Sequence, residues 1–304
     1  MDENETIIPE PEQQIQEIVK QFGTDYPIEV MDNPESPRLA EVADIDAEAF
    51  KGQKKLTQED FMHIFQNGGV ILGHVGPDNK LISEASLLLA TDPEGSSILE
   101  RNMPGWLAYC DGAAVIKEFR GKGLQKQLLL AREEVAKLSK KEASGASVRQ
   151  NNVASIRSMI STGYVMIADS PHYYGENDKD ARVVMLKDFG IGNPFKDLDS
   201  DHELLDESLR GVIEPNNIQD KLAEGADVIS VAVIQSEDVN SEYNRAVATL
   251  LRNGYIGVAC NDIDIGDSDS ERSDAMTFVK IDSLPLEVRE PLRLRQKEIQ
   301  SVVG

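Results

Sequence analysis

The 304-residue chain carries 31 basic against 54 acidic side chains, a formal net charge of −23 that argues against nucleic acid as a general partner. Hydrophobic residues at 40% allow buried cores in one large or two modest domains, and no apolar run reaches the ~18 residues of a membrane span. The acidic start, Met1-Asp2-Glu3-Asn4-Glu5, is unlike a secretory signal; with the widely separated Cys110 and Cys260 in predicted strands as buried free thiols, a cytoplasmic location is expected.

In chain order, residues 1–24 form a polar tail with one helix predicted at Gln13–Phe22, and Pro27–Met31 reads as the first strand. Leu39, Val42, Ile45, Ala49 and Phe50 have helical spacing. Thr57-Gln58-Glu59-Asp60 has the cap pattern of a second helix. Strands follow at Gly69–Val75, Leu81–Thr91 and Trp106–Val115, the first two joined by a Gly76-Pro77-Asp78-Asn79 turn.

The run Val115-Ile116-Lys117-Glu118-Phe119-Arg120-Gly121-Lys122-Gly123-Leu124-Gln125 ends a strand in a basic turn with two glycines, and an amphipathic helix begins near Leu124. Glycines at such a point remove side chains where the first N–H groups of a helix can meet an anion. Arg120, Lys122 and Lys126 add positive charge there, while Lys137, Lys140 and Lys141 suit the opposite pole of the same helix. Residues 115–149 hold nine Lys/Arg against four Asp/Glu in an otherwise acidic protein. The turn lacks the Gly-Lys-Ser/Thr ending of a nucleotide P-loop.

A strand at Ala146–Arg149, then Asn152-Val153-Ala154-Ser155, a helix, Gly163-Tyr164 and another strand complete the pattern. The order resembles the GNAT superfamily of acyl-CoA-dependent N-acyltransferases. Arg120 to Gln125 matches its Arg/Gln-x-x-Gly-x-Gly/Ala signature at every position but the last, where Gln125 replaces a small residue. The resemblance covers residues 25–189 and implies an α/β GNAT fold, a mixed, mostly antiparallel central sheet flanked by helices. It implies acetyl-CoA as co-substrate, held by Arg120, Gly121, Lys122, Gly123, Leu124, Gln125 and Lys126, with Asn152 and Ser155 at the mouth. It also implies that backbone amides of Ala113, Ala114 and Val115 hold the acyl oxygen and pantetheine, beside the small residues that let a ligand approach. No metal is expected.

The catalytic groups match less well. Acetyl transfer to an amine needs the amine's proton removed, since a lysine-like ammonium has a pKa of ~10.4. Many family members have a tyrosine seven residues after the motif asparagine and some a glutamate on the preceding strand; here those places hold Met159 and Ser147. Substitutes are Tyr173 and Tyr174 in Pro171-His172-Tyr173-Tyr174-Gly175, which could equally be packed loop aromatics, and Asp111, an acid within an apolar strand, which could equally be structurally paired. Glu84 is a further candidate on the same logic, and Tyr164 is expected in the core.

Past Phe189, residues 190–304 hold 23 acids against 11 bases, read as an acidic linker over 190–226 and a smaller α/β domain over 227–304. Asp197, Asp199 and Asp201 are spaced like a calcium loop, but His202 and Ser208 stand where such loops need Gly and Glu. Asp262, Asp264, Asp267, Asp269 and Glu271 read as a solvated loop. Val228–Ile234, Ser241–Arg252, Gly254-Tyr255-Ile256 and Asp274-Ala275 echo the earlier unit with its Gly163-Tyr164-Val165 and Asp180-Ala181, as a degenerate repeat or by chance.

The expected function is transfer of an acetyl group from acetyl-CoA to a primary amine by direct attack; the acidic surface favours a cationic acceptor. A catalytically weak acyl-CoA-binding regulatory protein is the alternative, because Met159 and Ser147 replace the usual acid and base. An assembly module using residues 190–304 is a third. Neither the acceptor nor the oligomeric state is legible.

Overall fold

The computed structural model describes residues 11–50, 57, 59–175, 182–195, 211–233, 241–264 and 272–304. The calcium-like run Asp197 to Ser208, Asp180-Ala181 and Asp267, Asp269 and Glu271 lie outside them. The chain divides into two compact units: Met1–Ala90 with Cys110–Lys141, and Thr91–Tyr109 with Glu142–Gly304.

In the first unit, β1 (Ile28–Met31), β2 (Val70–His74) and β3 (Ser83–Leu88) pair antiparallel in sequence order, and β3 is followed by the second part of β4 (Leu107–Val115). Three helices come before β2: α1 (Pro11–Val19), α2 (Leu39–Ala49) and α3 (Met62–Gln66). Helix α2 is amphipathic as its spacing predicts: Leu39, Val42 and Ile45 enter a core with Met31, Phe61, Ile64, Ile71, Leu81 and Ala114. Each such aliphatic side chain contributes about 1.5–3 kcal/mol on burial. The expected cap forms only in part: the backbone N–H and the hydroxyl of Thr57 both donate to Asp60 Oδ2, at 2.5 and 2.7 Å, ahead of a tight turn at Glu59–Phe61, and α3 itself begins after Phe61 with no side-chain cap. Helix α5 (Leu124–Leu138) buries Leu124, Leu128, Leu129, Ala131, Val135 and Ala136 along one face.

In the second unit, Leu107–Tyr109 of β4 runs parallel to β5 (Ala143–Arg149). β5 is followed in space by β7 (Arg182–Asp188), β6 (Val165–Ser170), β9 (Tyr255–Asp264), β10 (Arg272–Lys280) and β8 (Val228–Ala232), every one of these neighbours antiparallel. The strands after Phe189 therefore extend the sheet begun by β5, β7 and β6. Among the described residues the helices are α4 (Ile98–Arg101), α6 (Val153–Ile160), α7 (Ile218–Glu224), α8 (Glu242–Arg252) and α9 (Leu286–Val303). α4 was not predicted, although Ser97 and Glu100 form a reciprocal capping box at its start. Asp262 and Asp264, expected in a loop, instead lie in β9, opposite Asp274 and Arg272 of β10; the alternation of β9 outlasts its apolar stretch because β10 supplies the backbone partners.

Cys110 and Cys260 are buried and are not joined in a disulfide. Among the described residues no helix is long and apolar enough to cross a membrane, and no group of three or more His, Cys, Asp and Glu is arranged to hold a metal ion.

Candidate functional site

At the start of α5 the backbone does what the two glycines suggest. Gly121 and Gly123 both have φ +76°, a left-handed conformation that a side chain would strain, and a Cβ on either would point into open space. Gly123 is the N-cap and offers no side chain to the first turn; the helix ladder begins with Gln127 N–H donating to Gly123 O at 3.1 Å. Arg120, Gly121, Lys122, Gly123 and Lys126 are all exposed, whereas Leu124 anchors the turn in the core. The result is an exposed, cationic helix tip with open space outside both glycines and the partial positive charge of the helix behind it.

The cations are positioned by neighbours that the sequence did not point to. Lys122 Nζ lies 4.6 Å from the Phe119 ring centroid and 5.6 Å from that of Tyr26, and donates to Tyr26 Oη at 3.3 Å. The two rings meet edge to face at 5.4 Å. Arg120 Nε donates to Val115 O at 2.9 Å, tying the turn to the end of β4. A polar chain runs from the buried His74 through Gln127 to the exposed Thr24. His74 donates through Nε2 to Gln127 Oε1 at 2.9 Å, and Gln127 Nε2 donates to Thr24 Oγ1 at 3.2 Å. Because that assignment places the imidazole proton on Nε2, Ser83 Oγ donates to His74 Nδ1 at 2.8 Å. Burial holds His74 below the ordinary imidazole pKa, despite the opposing hydrogen bond to Gln127, and so favours this neutral ring.

β4 is irregular where it borders this turn. The buried Arg132 of α5 donates from Nη1 to Ser86 O at 2.9 Å, Asp111 O at 3.0 Å and Gly112 O at 3.4 Å. Successive carbonyls of a regular strand point opposite ways, so two of them facing one nitrogen mark a local distortion. Gly112 sits at that distortion, with nothing within 4 Å of where its Cβ would be.

Glu84, on β3, is 3% exposed and its Oε1 has no partner. Its carboxylate accepts the Ala114 N–H, a bond that favours ionisation; burial foremost, then the charges of Asp46 and Asp111, outweigh this and Arg132 and push its pKa up to about 8. Asp46 is itself raised by burial. Of the three amides expected to serve an acyl group, that of Ala114 is thus engaged by Glu84, and the Ala114 side chain faces the core of α2 and α3. Asp111 is half-buried, and its backbone carbonyl is held by Arg132.

The remaining expected residues belong to the second unit. Tyr173 is fully buried and donates to Tyr109 Oη at 2.6 Å, with Tyr109 Oη 3.3 Å from Ser147 Oγ. Burial raises the Tyr173 pKa, so this phenol stays protonated. Tyr174 is 45% exposed; its ring meets Tyr173 edge-on at 5.1 Å, and the Arg182 guanidinium lies 4.7 Å from its centroid. Asn152 caps α6, its Oδ1 accepting the Ser155 N–H at 3.2 Å. Met159 is buried, and Tyr164 is in the core as expected, donating to Ser144 Oγ at 2.7 Å. Sequence reasoning missed Tyr109 and Arg132: one reads as an apolar strand residue, the other as a charge on an amphipathic helix.

No protein-family model matches the sequence, and no curated protein does. Solved structures do resemble part of the chain. A candidate acetyltransferase from Acinetobacter baylyi ADP1 is 20% identical with a TM-score of 0.43, over 55% of this chain and 94% of its own. Another, from Salmonella typhimurium and solved with acetyl-CoA, is 18% identical with a TM-score of 0.41, over 53% and 93%. The ribosomal-protein-S18-alanine N-acetyltransferase of Escherichia coli is 14% identical with a TM-score of 0.41, over 53% and 93%.

Proposed function

We propose that the chain is a GNAT-type N-acetyltransferase that takes acetyl-CoA as co-substrate and acetylates a primary amine by direct attack. The observation that carries this reading is the α5 tip: two left-handed glycines, no capping side chain, open space outside and three exposed cations around it. A diphosphate is the ligand chemistry that such a tip suits, and an acidic protein elsewhere would repel it. The thioester supplies an activated acyl group, and its thiolate, with a pKa of ~8.5, leaves without much help.

Within the first unit, Arg120, Gly121, Lys122, Gly123, Leu124, Gln125 and Lys126 would bind the diphosphate. Ala113 and Val115 are the amides we assign to the acyl oxygen, a donor of this kind contributing up to about 3 kcal/mol to the transition state. Proton removal from the attacking ammonium is assigned to Glu84 together with Asp111. A carboxyl with a pKa near 8 is far better matched to an amine than an ordinary glutamate; because its unpartnered oxygen is buried, the half-buried Asp111 would pass the proton to it. Tyr173, already donating to Tyr109, is a weaker acid than its residue type suggests, and Tyr174 is the exposed aromatic of that loop.

The test is release of free thiol from acetyl-CoA across a panel of amines that includes polyamines and basic amino acids. Release with at least one amine, rising with pH through about 8 and lost in Glu84→Gln, is expected. Tight binding of acetyl-CoA with no release above background would replace this reading with that of a coenzyme-binding regulator, which the buried Met159 in the usual acid position favours. Absence of binding at millimolar coenzyme would sink both.

A further inference from the structure

The second unit contains its own topology twice. Strand β5 is followed by α6, β6 and β7, in spatial order β5-β7-β6; β8 is followed by α8, β9 and β10, in spatial order β8-β10-β9. The two orders are mirror images along the sheet and meet where β6 pairs antiparallel with β9. Helix α6 packs on β9 and α8 packs on β6, each crossing to the other set.

The correspondence holds residue by residue. A left-handed glycine ends each helical turn, Gly163 at φ +96° and Gly254 at +80°. A fully buried tyrosine follows, Tyr164 and Tyr255, and each phenol donates back to its own copy, to Ser144 Oγ and Ala226 O. Pairing within each set then slips by one residue at the same step: Ile167 is passed over between Met166 and Ala168, and Val258 between Gly257 and Ala259. Gly163 to Gly254, Tyr164 to Tyr255, Met166 to Gly257 and Ile167 to Val258 are all related by one sequence offset. The pair that joins β6 to β9 is Met166 with Gly257, a residue and its own counterpart. An antiparallel pair of equivalent residues is what a two-fold axis through that pair produces.

The likeness extends further back. Leu107–Tyr109 of β4 is parallel to β5; Ile213 makes a parallel bridge to Val231 of β8, with its N–H on Ser230 O at 2.9 Å and its carbonyl on Ala232 N–H at 3.0 Å. After β4 the chain runs through the basic glycine turn into α5; after Ile213 it runs through Glu214-Pro215-Asn216-Asn217 into the short α7. That second turn has an acid where the first has Arg120, and a proline without an N–H, so it repels a diphosphate and cannot cradle one.

We infer that the segment from Ile213 to Lys280 is a second, degenerate copy of the unit from β4 to β7, which serves as a partner in cis: it covers the β6 edge as a second chain would, and leaves one coenzyme turn per chain. An uncovered β6 would be an open edge, prone to pair with another molecule. The C-terminal helix locks the join, because Gln296 Nε2 reaches Ile167 O and Tyr255 O, each at 3.0 Å, one carbonyl from each copy.

The pairing can be tested without any activity. In the full chain carrying Met166→Cys and Gly257→Cys, mild oxidation should close a disulfide within one chain, since a Cβ at 257 lies 3.0 Å from that of residue 166 and a small outward shift brings the pair to the ~3.5–4.5 Å that a disulfide spans. The oxidised protein should keep the mass of a single chain on a non-reducing gel. Disulfide-linked dimers, or two thiols that stay reduced in a folded variant, would overturn the inference. Should the variant not fold, hydrogen exchange on the wild-type protein decides: peptides over 164–170 and 255–260 should be protected together, and fast exchange in either speaks against the pairing. The single-turn part rests on the acyltransferase reading, and calorimetry should return one acetyl-CoA per chain. Two per chain would refute that part alone; none would refute the acyltransferase reading while leaving the disulfide result to stand by itself.

Discussion

Arg120–Gly123 before α5 and Glu214–Asn217 before α7 occupy the same step in two copies of one topology. The first is glycine-rich, left-handed at two positions and cationic; the second is acidic and interrupted by proline. Around them, the buried tyrosine, the slipped strand pair and the left-handed glycine persist in both copies. The difference shows which features packing preserves and which it does not. A bulge and a buried ring are tied to many neighbours, so the fold depends on them; a solvent-facing turn is tied to few and keeps its chemistry only where a ligand is served.

The comparison breaks most sharply at Arg132, which has no counterpart in the seven-residue α7. Arg132→Met should cost about 3–5 kcal/mol by chemical denaturation, since it leaves the Ser86 and Asp111 carbonyls without their donor, at about 1–3 kcal/mol each. A loss under 1 kcal/mol would mean that β4 holds its distortion unaided.

Glu84 gives the next effect. Its pKa is raised from an ordinary 4.5 to about 8, so its protonated form favours folding. Its stabilising contribution is complete below about pH 4.5 and disappears as pH rises through about 8. The slope approaches ~1.4 kcal/mol per pH unit and amounts to at most about 5 kcal/mol in all. Melting curves of Glu84→Gln between pH 5 and 8 should lack this decline; parallel curves for variant and wild type would assign the titration elsewhere.

Sharpening the contrast of the two turns, Gly123→Val should weaken acetyl-CoA binding about tenfold in calorimetry, from ~1–2 kcal/mol of left-handed strain. Asn216→Val in the second turn should leave affinity unchanged. Smallest is Lys122→Met, about 0.5–1 kcal/mol of affinity, shrinking as salt is added; a loss insensitive to salt would place the role of Lys122 in its contact with Tyr26 and Phe119.

Much of this was legible in the sequence because it is local. Glycines at 121 and 123 announce a turn and the spacing from Leu39 to Phe50 announces a helix, whereas the echo of Gly163-Tyr164 in Gly254-Tyr255 is equally compatible with a repeat and with chance. What escaped depends on distant partners. Arg132 reads as surface charge until Ser86 and Asp111 close over it, and Tyr109 reads as apolar filling until Tyr173 meets its hydroxyl from 64 residues away. The extension of β9 to Asp264 is dictated by β10 against the polarity of its own residues. The pairing of Met166 with Gly257 could not be read from either strand, as nothing local specifies which edge a strand will seek.

The chain has a single indole, Trp106, and the guanidinium of Arg295 rests 3.9 Å from its centroid. Arg295 belongs to α9 and is also tied to Asp188 at 3.1 Å and Glu142 at 2.6 Å. Tryptophan emission therefore has one source, and a cation whose distance from it is set by the docking of the last helix. Fluorescence of the unmodified chain is a built-in optical gauge of whether α9 is seated.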